Sequence, residues 1–131
     1  MNLSDTGSER AVLASLFSYG LEAYVEISDL ITHETFANQN NQIIYKCIEK
    51  VLQNEASVDV PSILAAASQL NFSEAINTEK ELKYINSLMN FPVKKENVLY
   101  FAAQIKKYEF ARNAQRVAKK IESDISQING D

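Results

Sequence analysis

The chain has 131 residues, of which 46% are hydrophobic and 23% charged, and its formal net charge is −4. This length suits one domain, which can bury roughly two-thirds of its unfolded surface and therefore needs neither disulfides nor metal to fold. Cys47 is the only cysteine, which excludes an internal disulfide and favours a reducing compartment. The first ten residues are polar, unlike a signal peptide, and no apolar run approaches the roughly 18 residues of a membrane span. We therefore expect a cytoplasmic protein that makes no contact with membranes.

Glycine and proline are scarce, at three and two residues. Strand-rich folds use more of both in their turns, so the composition predicts an all-α fold. We expect three parts: a disordered N-terminal tail over residues 1–7, a compact orthogonal head of about five helices over 8–92, and one long C-terminal helix over 93–131.

The first two helices of the head are indicated by apolar residues at helical spacing. The first helix is expected to start from a cap at Ser8 and to end at Gly20, and a short second helix follows over residues 21–27. The side chains expected to face inward are Val12, Leu13, Leu16 and Phe17 in the first helix, and Leu21, Tyr24 and Val25 in the second.

Three further helices complete the predicted head. The third covers about residues 40–53, the fourth begins after a cap at Asp59, and the fifth begins at Thr78, which forms a capping-box pattern with Glu81. The connector between the fourth and fifth helices is polar. The expected core residues of these helices include Ile44, Ile48, Leu64, Ile85 and Met89.

The stretch from about Lys94 to Ile125 contains no glycine or proline and is rich in good helix formers, so it predicts one long helix. Large side chains in its first half are expected to pack on the head: Val98, Phe101, Ile105 and Tyr108. From residue 111 the apolar positions follow a 3-4-3-4-3 spacing, a narrow heptad seam suited to one other helix. The seam consists of Ala111, Ala114, Ala118, Ile121, Ile125 and Ile128. No later helix in this chain covers it, so it predicts one arm of a helical hairpin or a dimerisation element.

Residue types that build enzyme and metal sites are missing or isolated. His33 is the only histidine, and with Cys47 it supplies two soft ligands, fewer than a zinc site normally uses. Cys47 lies on the apolar side of the third helix, where a buried and inert thiol is expected. No carboxylate pair lies in an apolar frame, and no P-loop motif occurs. The sequence therefore predicts a non-catalytic chain that binds no cofactor and no metal.

Charge is distributed unevenly along the chain. Residues 1–93 carry five Lys/Arg and twelve Asp/Glu, a net charge of −7, whereas residues 94–131 carry eight and five, a net charge of +3. The cations that gather on one side of the long helix are Arg112, Arg116, Lys119 and Lys120. A solvated helix face and a phosphate-binding surface both explain this pattern. We expect direct DNA binding to be weak or absent.

Several segments, in order along the chain, resemble the N-terminal domain of DnaB-type replicative helicases. Residues 9–17, E-R-A-V-L-A-S-L-F, resemble the family's opening E-x-x-V-L-G-S-L-L. Leu30, Phe36, Ile44-Tyr45 and Ile48 are similar to its L-x-x-x-D-F-Y and H-x-x-I-F-x-x-I stretch. Residues 58–64 resemble P-I-D-x-x-T-L, and residues 84–88 resemble Y-L-x-x-L. Asn97-Val98, Phe101-Ala102, Ile105 and Arg112 match its N-I-x-x-Y-A-x-x-V … R hairpin helix.

The resemblance implies a helical head followed by a hairpin that pairs between subunits. In that family the N-terminal domains form a collar above a hexameric motor and receive the primase and, in some systems, the loader. The implied parent is an ATP-dependent 5′-to-3′ DNA helicase, with ATP and magnesium bound only by a RecA-like motor domain after a linker. This chain is then an excised domain ending near the first hairpin arm. The candidate interface residues are Phe101, Ile105, Tyr108, Ala111, Arg112, Ala114, Ala118, Ile121 and Ile125.

The sequence departs from the family pattern at three places. Ala14 stands where glycine is usual, Asn41 where histidine is usual, and residues 78–81 replace a glycine pair. These departures indicate a distant member, for which phage and plasmid origins are both open. Two alternatives also remain: the helicase-binding C-terminal domain of a primase, and a small helical nucleic-acid-binding regulator. The match over residues 9–13 favours the helicase.

Overall fold

The computed structural model describes residues 3–130, and Met1, Asn2 and Asp131 lie outside the described part. Every regular element within residues 3–130 is helical, which confirms the predicted all-α fold. Over this range the α-helices are α1 (Thr6–Tyr19), α2 (Leu21–Ile27), α3 (Gln39–Gln53), α4 (Val60–Gln69), α5 (Ser73–Ile76), α6 (Glu79–Met89) and α7 (Val98–Asn129). Two short 3₁₀ turns, His33–Thr35 and Lys95–Asn97, precede α3 and α7.

The central helix of the head is α1. It contacts α2, α3, α6 and α7, and all six residues from Ala11 to Leu16 are buried. A helix covered on several sides needs apolar or small side chains around most of its circumference, and this segment supplies them. Its one hydroxyl, on Ser15, donates to the Ala11 carbonyl oxygen at 2.8 Å, so it is satisfied inside the helix.

The head begins before Ser8. The Asp5 carboxylate caps α1 by accepting hydrogen bonds from the Ser8 backbone N–H at 3.0 Å and from the Ser8 hydroxyl at 2.7 Å. The predicted cap at Ser8 is therefore wrong. Ser8 is the third residue of α1, and the cap is Asp5, whose side chain accepts from the backbone N–H three residues later. Of the predicted tail over residues 1–7, Thr6 and Gly7 belong to α1, while Met1 and Asn2 lie outside the described residues.

Gly20 ends α1 as predicted, with a φ of 56° that glycine adopts without strain. The predicted inner face of α2 is confirmed at Tyr24, which is half-buried against the core, and is wrong at the other two residues. Leu21 and Val25 are 59% and 63% exposed, and Ala23 and Ile27 are the buried residues instead. A small residue such as Ala23 lets this short helix lie close to its neighbours α1 and α7.

Helices α3, α4 and α6 complete the core. Ile44, Ile48 and Ile85 are fully buried, which confirms the predicted core at these positions. Leu64 is half-buried and packs against the edge of the core, whereas Met89 is 38% exposed, so the assignment of Met89 to the core is wrong. The residues of α4 that fill the core are Ile63, Ala66 and Ala67.

Two local features differ from the prediction between α4 and α6. The connector contains the additional helix α5, whose Ile76 is fully buried, so six α-helices of the described chain precede Pro92. Thr78 caps α6 by accepting from the Glu81 backbone N–H at 3.2 Å. The Glu81 carboxylate does not complete the capping box, because it accepts from the Asn40 side-chain amide at 2.7 Å and so links α6 to α3.

A buried carboxylate, that of Glu9 in α1, joins three parts of the head. Glu9 is 2% exposed and accepts hydrogen bonds from the Ala37 backbone N–H at 2.8 Å and the Asn41 side-chain amide at 2.9 Å. Asn41 in turn accepts from the Tyr84 hydroxyl at 2.6 Å. Glu9, Asn41 and Tyr84 therefore form one polar link between α1, α3 and α6.

Candidate interaction surface

The long helix α7 begins inside the head and ends outside it. Val98, Ala102 and Ile105 are buried, and the helix contacts α1 and α2 there. Every residue over 113–130 is exposed. At 1.5 Å per residue this exposed segment, which we call the arm, extends about 26 Å from the head. The prediction that the first half of α7 packs on the head is confirmed, with Phe101 and Tyr108 half-buried.

Arg112 fixes the point at which α7 leaves the head. Its guanidinium donates to the carbonyl oxygens of Leu3 at 3.0 Å and Thr35 at 2.9 Å. The Thr35 hydroxyl donates to the Glu109 carboxylate at 2.9 Å, and Glu109 pairs with Lys106 at 3.1 Å. About one turn of α7 therefore holds both the N-terminal segment and the first 3₁₀ turn, which gives Arg112 a defined structural contact in its own chain.

The exposed side of α7 carries a continuous row of apolar residues, which we call the arm stripe. Its large members are Phe110 at 75% exposure, Val117 at 59%, Ile121 at 55%, Ile125 at 53% and Ile128 at 78%. Ala114 and Ala118 lie between them. Because each residue turns the helix by 100° and Ala102 and Ile105 face the head, the arm stripe lies on the side turned away from the head.

The arm stripe is wider than the predicted seam. Phe110 and Val117 belong to it, and the sequence interpretation missed them because it followed only the register that starts at Ala111. Phe110 and Val117 are seven residues apart, which is one heptad, and this spacing is the sequence signal that could have identified them.

The structure corrects one of the predicted interface residues. Ile105 is 1% exposed and is part of the core of the head, so it cannot contact another chain without unfolding. Phe101, Tyr108, Ala111 and Arg112 are half-buried at the junction. The other candidates lie on the exposed arm stripe: Ala114, Ala118, Ile121 and Ile125. Their contact with another chain stays a prediction.

The residue types that could bind a metal or act as a nucleophile are dispersed or buried in the described chain. No group of three His, Cys, Asp or Glu side chains in residues 3–130 is placed to hold a metal ion. Cys47 is buried, and burial raises the pKa of its thiol to about 11, which disfavours the reactive thiolate at neutral pH. His33 lies in the first 3₁₀ turn, 4.0 Å from the Glu34 carboxylate. Across the described residues, no helix is both long and apolar enough to cross a membrane.

Comparison with known proteins gives a family match and matches among solved structures. The family model described as "DnaB-like helicase N terminal domain" matches residues 1–107. Among solved structures, the crystal structure of the N-terminal domain of DnaB helicase from Mycobacterium tuberculosis is similar, with a TM-score of 0.79 and 15% sequence identity. That likeness covers 96% of this chain and 90% of the other, and at this identity it concerns the fold alone. No curated protein matches.

The family match covers the head and the first turns of α7, and the solved structure extends the likeness in fold to most of the arm. The family match agrees with the residues that resembled the family in sequence, and the solved structure agrees with the predicted helical fold. The chain belongs to the DnaB-like helicase N-terminal domain family.

Proposed function

We propose that this chain is the collar domain of a hexameric replicative helicase, in which it pairs subunits and receives the primase or the loader. The observation that carries the proposal is the arm stripe, on a helix fixed to the head at Arg112. Soluble proteins that act alone seldom expose a contiguous apolar surface of this kind, and such surfaces mark contacts with other chains. ATP and magnesium act in the motor domain of the parent helicase and not in this chain.

The shape of the arm favours pairing with another helix. Beyond Phe110 the arm stripe consists of alanine and branched side chains along one unbroken helix, which suits packing against a second helix of a hairpin or a neighbouring subunit. Fully burying one large aliphatic side chain contributes about 1.5–3 kcal/mol. Ile121, Ile125 and Ile128 are already up to about half covered within their own chain. Covering the rest of each side chain therefore contributes less than this value, and the contributions of the three residues add.

The head suits a different partner. Its residues 1–93 carry a net charge of −7, which raises the rate of encounter with a basic partner more than it raises final affinity. A negative head is also a poor surface for DNA, so the proposal expects the domain to bind the cognate primase and to bind DNA weakly.

Assembly is tested with two charge substitutions on the same part of the arm. We expect Ile121→Asp in the full-length helicase to shift sedimentation from a hexamer to smaller species, because it places a charge in the arm stripe. Ser123→Asp is the matched control, since it adds the same charge on the polar side of the arm. The 131-residue chain alone is expected to be a monomer or weak dimer. A tight hexamer of this chain, or equal disruption by both substitutions, would contradict the proposed role of the arm stripe.

The partner role is tested separately, by calorimetric titration of the full-length helicase with the primase encoded beside it. We expect micromolar or tighter binding to primase and negligible binding to single-stranded DNA at physiological salt. The reverse pattern would favour the nucleic-acid-binding regulator.

A further inference from the structure

A pocket of about 420 Å³ lies where α7 leaves the head. Leu3 and Ala37 line its head side, and Arg112, Arg116 and Lys119 line its α7 side. The three cations occupy positions i, i+4 and i+7, which brings them onto one face of the helix over two turns. This face is turned away from the arm stripe, so the pocket and the arm stripe are separate surfaces.

The cations of this pocket have no carboxylate partner within residues 3–130. Among the described residues, no ion pair joins Arg112, Arg116 or Lys119 to an acidic side chain, and no Asp or Glu lines the pocket. Four other lysines of the described chain do have acidic partners: Lys83 with Glu79, Lys95 with Glu22, Lys106 with Glu109 and Lys120 with Asp124. The pocket therefore concentrates positive charge that no carboxylate of the described chain pairs with.

Two of the three cations are already held in place. The hydrogen bonds from Arg112 to the Leu3 and Thr35 carbonyl oxygens use two of the five N–H donors of its guanidinium. Arg116 donates to the Asn113 side-chain oxygen at 3.1 Å. Because Arg112 is held by two hydrogen bonds to the head before any ligand arrives, an anion that binds it does not have to offset the full cost of ordering that side chain.

We propose that this pocket binds a phosphate group, carried by a nucleotide or by the end of a nucleic-acid strand. A phosphate monoester has nearly two negative charges at neutral pH and three acceptor oxygens, which match two guanidinium groups and an ammonium better than a single carboxylate does. The volume exceeds that of a phosphate alone, and Leu3 and Ala37 give an apolar wall for the adjoining nucleoside. This inference rests on the pocket and not on the collar function.

One phosphate pocket is compatible with weak binding to DNA as a whole. Proteins that hold the nucleic-acid backbone neutralise about 6–10 phosphates, whereas this pocket presents three cations for one group. The binding is expected to weaken with salt, as all phosphate binding does.

The test is titration of the isotopically labelled 131-residue chain, followed by the backbone amide resonances. The ligands are inorganic phosphate, adenosine 5′-monophosphate, and a single-stranded oligonucleotide with and without a 5′-phosphate. We expect saturable shifts at residues 3–4, 37 and 112–119 with phosphate and tighter binding of the monophosphate nucleotide. The same shifts from the 5′-phosphorylated oligonucleotide alone would identify a strand end as the source. Tighter binding of the free nucleotide than of either oligonucleotide would identify a nucleotide.

Variants locate the site. Arg116→Ala and Lys119→Ala are each expected to weaken phosphate binding by about tenfold, because each removes one charge-assisted contact. Lys120→Ala is the matched control, since Lys120 adjoins Lys119 but is paired with Asp124, and it should leave binding unchanged. Arg112 is kept intact because it holds the head to α7. The inference is overturned if sodium chloride at equal ionic strength gives the same shifts, if succinate binds as tightly as phosphate, or if Lys120→Ala weakens binding as much as Lys119→Ala.

Discussion

Replacing Glu9 by alanine is expected to lower the free energy of unfolding by about 3 kcal/mol. The carboxylate is buried and accepts hydrogen bonds from Ala37, Asn38 and Asn41. Ala37 and Asn38 are exposed residues, so in the variant we expect water to replace Glu9 at their backbone amides. Asn41 is 1% exposed, so its side-chain amide stays buried without its partner. An unsatisfied buried polar group costs about 1–3 kcal/mol, and the lost charge-assisted bonds to the two backbone amides account for the remainder.

Urea unfolding followed by far-ultraviolet circular dichroism measures this loss, with Glu122→Ala as the control. Glu122 lies on the exposed arm, so its substitution should change the free energy of unfolding by less than about 0.5 kcal/mol. A double-mutant cycle with Asn41→Ala sharpens the test, because Glu9→Ala should cost less once Asn41 is absent. If Glu9→Ala alone changes stability by less than about 0.5 kcal/mol, the polar link between α1, α3 and α6 does not hold the head together.

Two further substitutions test the core. Ile48→Ala should lower the free energy of unfolding by about 2–5 kcal/mol through the cavity it leaves, and a loss below about 0.5 kcal/mol in denaturant unfolding would mean that α3 is misplaced. Burial raises the pKa of Cys47 from its ordinary 9.0 to about 11, so between these pH values the folded chain keeps a proton that the unfolded chain has released. Stability should therefore fall by up to ~2.7 kcal/mol as the pH rises from about 9 to 11, and Cys47→Ala should remove that part of the fall. Equal pH dependence of the urea midpoint in both proteins would contradict the burial of the thiol.

The parts of the fold that follow from sequence are those with several turns of regular spacing. Helices α3 and α6 present their apolar residues over three or more turns, and their buried residues Ile48 and Ile85 were predicted correctly. Helix α2 has only seven residues, and apolar residues over two turns are compatible with more than one buried face. The four residues of α5 are too few for any periodicity to appear.

Contacts between distant residues explain most of the remaining differences. Glu9 and Asn41 are 32 residues apart, Asn41 and Tyr84 are 43 apart, and Leu3 and Arg112 are 109 apart. Helical periodicity carries no information on which polar side chains meet across such distances. For the same reason the sequence left Arg112 open between an exposed arginine and a contact residue, since the two carbonyl oxygens that it binds come from segments without a pattern of their own.

Packing near the N-terminal end of α7 determines which side of the helix carries the arm stripe. The helix continues from Val98 to Asn129 without a break, so the residues that face the head at Ala102 and Ile105 determine which residues face away from it farther along. A straight helix turns 100° per residue and has no hinge to correct an error. Arg112 adds a second constraint at the junction, because its two hydrogen bonds to the head resist rotation of the helix at that point. The arm stripe and the cationic pocket are therefore placed on opposite sides of one rigid element, and a helix that covers the stripe leaves the pocket accessible.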